Sequence, residues 1–87
     1  MTMSKGVARR AEKIVAEISP LLHGHEPALI GAVLGDLTAM LIAGHFVAGS
    51  KVETDKLREE LLQRHIQLVR ELIPINEKQI LEQLQSH

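Results

Sequence analysis

The chain has no cysteine, no tryptophan and no tyrosine, and its one aromatic side chain is Phe46. Without cysteine there is no disulfide, no thiolate metal ligand and no thiol nucleophile, which suits a reducing compartment such as the cytoplasm. Without aromatics there is no platform for base stacking and no interfacial belt for a membrane helix. Charge of either sign is also lacking in excess. Ten Lys and Arg against eleven Asp and Glu leave a formal net charge of −1 with neutral histidines. A nucleic acid therefore finds no basic footprint here. The first ten residues are not followed closely by an apolar run of signal-peptide type, so export is not expected.

Catalytic and ligand motifs are missing as well. There is no phosphate-binding loop of the Walker type, no HExxH, no nucleophile elbow and no EF-hand. A helix-turn-helix reading of the first half fails for want of a basic recognition helix. No catalytic residue and no cofactor are assigned, and an enzyme is not the favoured reading.

What remains is an ordinary globular composition, 45% apolar and 24% charged. Eighty-seven residues are expected to form one domain, residues 1–87. A chain this short buries a thin core unless it oligomerises. Leu, Ile, Val and Ala supply the packing, as in helical bundles.

The stretch Ala28 to Ala48 dominates, with Asp36 its single formally charged side chain. Pro27 suits a first helical turn and Gly49 a position just past a helix end. A central apolar helix over about 27–48 is expected. Gly31, Gly35, Ala39 and Ala43 recur every fourth residue on one face, and Ile30, Leu34, Leu37 and Leu41 take roughly the other. Each glycine inside a helix costs about 1 kcal/mol relative to alanine. Close approach of a second helix along the small face would offset that. Gly31-x-x-x-Gly35 in an apolar segment is also the pattern of a membrane helix dimer. Asp36 near its middle would cost ~2.5–3.5 kcal/mol on insertion, so the covered helix of a water-exposed bundle is the better reading, with no membrane partner.

On either side, amphipathic patterns recur. Ser4 caps a helix over about 5–19, with Val7, Ala11, Ile14, Val15 and Ile18 on one face and Pro20 at its end. Leu21 and Leu22 are expected to tuck into the core. Ser50-Lys-Val-Glu53 reads as a capping box, with Thr54 a second cap, for a helix over about 54–73. Glu60 and Arg64 are spaced as a helical ion pair. Pro74 is expected to break that helix, and Asn76 to start a short last one over about 76–85. The fold class is thus all-α: three main helices, a short C-terminal helix, and a bundle completed by dimerisation.

Two polar groupings stand out. His23, His25 and Glu26 lie in the first connection, and His-x-His beside a carboxylate could begin a metal site. Only His45, His65 and His87 could add a further imidazole, so solvated loop residues are the plainer reading. On the third helix His65 falls at the centre of the apolar face, flanked by Leu61, Leu68 and Leu72 on one side and Leu62, Val69 and Ile73 on the other. Arg58, one heptad earlier, shares that face. If the second and third helices fold back about Lys51, Asp36 arrives level with His65. A contact of Asp36 with His65 or Arg58, in the same chain or a second subunit, is expected, most simply as a structural pair that sets register. The functional expectation is a non-enzymatic homo-oligomeric module, a homodimer first, or one that binds another protein; the alternative is a small ligand or metal held by the Asp36/His65/Arg58 cluster or the His23/His25/Glu26 loop.

Overall fold

The computed structural model describes residues 4–86, and every regular element in them is α-helix. Three helices follow in order: α1 (Lys5–Leu22), α2 (Pro27–Ala43) and α3 (Lys51–Gln85). They divide into two compact units. One carries α1 and α2 up to Gly44, and the other runs from His45 through α3.

In the first unit, Ser4 caps α1 as its sequence implies. Its backbone is extended and its Oγ accepts the Val7 N–H at 3.2 Å. The helix does not stop at Ser19. It continues through Pro20 to Leu22, because proline removes a single donor and little helix remains beyond it to be disturbed. The turn at His23–Glu26 is tight. Gly24 takes φ +82°, a left-handed conformation that glycine adopts without a Cβ penalty. The N–H of His25 reaches back to the Leu22 carbonyl at 3.4 Å.

Pro27 opens α2 at the position where a missing N–H costs nothing. The Glu26 carbonyl accepts from both Leu29 and Ile30 N–H at 3.1 Å. The helix ends at Ala43, five residues short of Ala48. The Gly44 N–H closes the last turn on the Met40 carbonyl at 3.1 Å. Seventeen residues rise about 26 Å, less than the ~30 Å hydrocarbon core of a bilayer. No helix among the described residues is long and apolar enough to cross a membrane.

The second unit opens with a loop, 45–50, that closes on the start of α3. Ser50 N–H donates to the Val47 carbonyl at 3.2 Å, and Gly49 holds φ +78° within that turn. Ser50 then caps α3, its Oγ accepting the Glu53 N–H at 3.1 Å. The helix begins at Lys51, three residues earlier than expected. It runs 35 residues without a break. Pro74 lies inside it, and the separate fourth helix does not form; Asn76 is an interior residue rather than a cap. The residues on both sides of Pro74 are rich in Leu, Glu, Gln and Lys, which favour helix, and one lost hydrogen bond does not outweigh them.

Along α3 Lys51 pairs with Asp55, Nζ to Oδ2 at 2.9 Å. The expected Glu60–Arg64 pair does not form. Both side chains are exposed, where water competes well with such a pair.

No apolar residue among those described is buried. Leu21, expected inside, is exposed, and Leu22 is half-buried.

Candidate functional site

The one buried residue among those described is polar. Thr54, 9% exposed, stands on the first turn of α3. Its Oγ1 accepts the Val47 N–H at 2.9 Å and lies 2.7 Å from the Ser50 carbonyl and 3.2 Å from the Val47 carbonyl. A hydroxyl has one proton, so it donates to one of these carbonyls at a time and favours the closer. One turn further, Arg58 Nε donates to the His45 carbonyl at 3.0 Å. Together these bonds hold 45–50 against the first two turns of α3. Thr54 was legible only as a cap; its role as the anchor of the preceding loop was not.

The polar cluster read from the wheel is therefore differently employed. The Arg58 guanidinium serves backbone. His65 is half-buried, as a position inside the apolar face implies, and its side chain makes no hydrogen bond among the described residues. Asp36 is exposed on α2, with no hydrogen bond or ion pair among the described residues. No buried side-chain polar atom among them lacks a partner, so the unpaired groups face solvent.

The histidine loop does not assemble either. His23 ends α1, His25 sits in the turn and Glu26 caps α2 through its backbone alone. No group of three His, Asp or Glu among the described residues could hold a metal ion. His87 lies outside them.

The small face of α2 is open. A Cβ built on Gly31 or Gly35 meets no atom within 4 Å. The large residues Leu29, Val33, Leu34, Leu37, Met40 and Leu41 of the same helix are exposed too. On α3 the apolar surface falls into two stripes. Leu57, Leu61, His65, Leu68 and Leu72 are half-buried. Leu62, Val69, Ile73, Ile80 and Leu84, turned about 110° away, are 36–68% exposed. Beyond Leu72 no described residue of α3 is even half-buried.

Among the described residues the surface that stands out is apolar and exposed. No family model matches the chain, and no curated protein and no solved structure is similar to it.

Proposed function

We propose that the chain is a non-enzymatic helical module whose work is association, first with a second copy of itself. One observation carries this reading: large apolar side chains on all three helices are exposed, and none among the described residues is buried. Burial of apolar surface is the main term that offsets the conformational entropy lost on folding. At about 25 cal/mol per Å², a chain that covers so little of it lacks most of that term until a partner arrives. A standard interface covers ~800 Å² per partner, and exposed large apolar side chains recur along each of the three helices. The even charge balance sets up no long-range repulsion between copies. The absence of cysteine suits a reducing compartment, and we place the protein in the cytoplasm on that ground; a different helical protein could occupy the same apolar surfaces.

Light scattering over micromolar to hundreds of micromolar concentration tests the proposal. An oligomer whose thermal midpoint rises with concentration is expected, because association with the folded state stabilises it by mass action. A monomer with a cooperative, concentration-independent melt would overturn it.

A further inference from the structure

The open stripe on α3 has a spacing that names its occupant. Ile66, Ile73 and Ile80 repeat at sevens, with Leu62 four residues before Ile66 and Val69 between Ile66 and Ile73, at the alternating three-and-four spacing of a coiled-coil seam. Leu84 extends the stripe to the end of the helix. Ile66 is half-buried and the rest are exposed. The segment after Leu72 is helical to Gln85 with nothing in the described residues covering it. An isolated helix of that length is marginal in water, and Pro74 weakens it further. Pro74 itself falls about 110° from the centre of the stripe, so its ring stays out of the seam.

We infer that α3 pairs with α3 of a second copy, antiparallel, about a two-fold axis beside Ile73. This rests on the self-association proposed above and adds to it the surface, the register and the direction. Counting from Ile73, Ile66 and Ile80 lie seven residues either side, and Leu62 and Leu84 lie eleven either side. An antiparallel pair centred there stacks Ile73 on its own copy, Ile66 on Ile80 of the second copy, and Leu62 on Leu84 of the second copy. Asn76, three residues past Ile73, and Val69, four before it, come within one residue of level across the pair, and a single polar residue in a seam is a known means of setting register at some cost in stability.

Charge chooses the direction. Arg70 and Glu77 stand on the same flank of the stripe, both exposed and neither with an ion-pair partner among the described residues. In the antiparallel pair Arg70 of each copy meets Glu77 of the other, twice over by symmetry, as a self-complementary interface requires. In a parallel pair Arg70 would lie across from His65 and Glu77 across from Leu72, and neither would find an opposite charge.

The absence of cysteine makes the test direct. Leu62→Cys and Leu84→Cys chains are mixed under mild oxidation and resolved without reductant, beside light scattering on the same samples. Both positions are already exposed, so neither variant removes a buried side chain. A mixed disulfide joining Leu62→Cys to Leu84→Cys is expected, with little self-linking, because the two sites lie about 33 Å apart on one helix. Arg70→Glu should weaken association about fivefold or more, two surface ion pairs being lost, and the Arg70→Glu, Glu77→Arg double exchange should restore it. An oligomer that self-links through each site, or that forms no mixed disulfide, overturns this inference and leaves the proposed function standing. A monomer by light scattering overturns both.

Discussion

The Val47 N–H donates to Thr54 Oγ1 at 2.9 Å, across seven residues and one change of direction. That bond ties the loop preceding α3 to the helix's own first turn. Thr54 gains nothing from solvent there, since it is the buried residue among those described. Replacing it with valine keeps the shape and removes the acceptor, so the Val47 N–H loses its partner. A loss of about 1–2 kcal/mol is expected in urea denaturation, with Thr54→Ser close to native. A Thr54→Val protein as stable as its parent would show that the loop is not held this way.

Gly49 and Gly31 should respond to alanine with opposite signs. Gly49 sits at φ +78°, where an L side chain costs about 1–2 kcal/mol. Gly31 and Gly35 are helical, and a Cβ on either meets nothing within 4 Å, so each alanine should stabilise α2 by up to about 1 kcal/mol. Thermal melts at one low concentration compare them. A loss from Gly31→Ala would mean that something packs against that face.

His65→Leu separates two views of the polar residue on α3. A pair with Asp36 would make the substitution destabilising, since the carboxylate would be left alone. With His65 half-buried and its imidazole making no hydrogen bond among the described residues, leucine instead adds apolar area. A gain of up to about 1 kcal/mol in the denaturation midpoint is expected; a clear loss would restore the pair.

Pro74→Ala should raise helicity and stability, because proline inside a helix costs about 3 kcal/mol relative to alanine. Circular dichroism through a thermal melt reads both. No gain would imply that the helix is already broken there in solution.

Arg58→Met removes the guanidinium that donates to the His45 carbonyl. A loss near 1 kcal/mol is expected by denaturant titration. An unchanged midpoint would leave Thr54 alone as the link between loop and helix.

Helical class, the caps at Ser4 and Ser50 and the start of α2 at Pro27 were readable from the chain, because each depends on residues within one turn. So was His65 as a polar interruption of an apolar face, which follows from spacing alone. Other boundaries were not, the start of α3 at Lys51 rather than at Thr54 among them. Pro20 and Pro74 read as stops in the sequence, but a proline removes one donor and a favourable sequence on either side carries the helix past it. The end of α2 at Ala43 rather than Ala48 is bound up with contacts reaching seven and thirteen residues along the chain, Thr54 to Val47 and Arg58 to His45. Spacing on a wheel cannot show which backbone carbonyl a side chain will choose. It likewise marks which residues are apolar without saying whether anything covers them, and that the stripes on α2 and α3 stand open became visible only once the chain was folded.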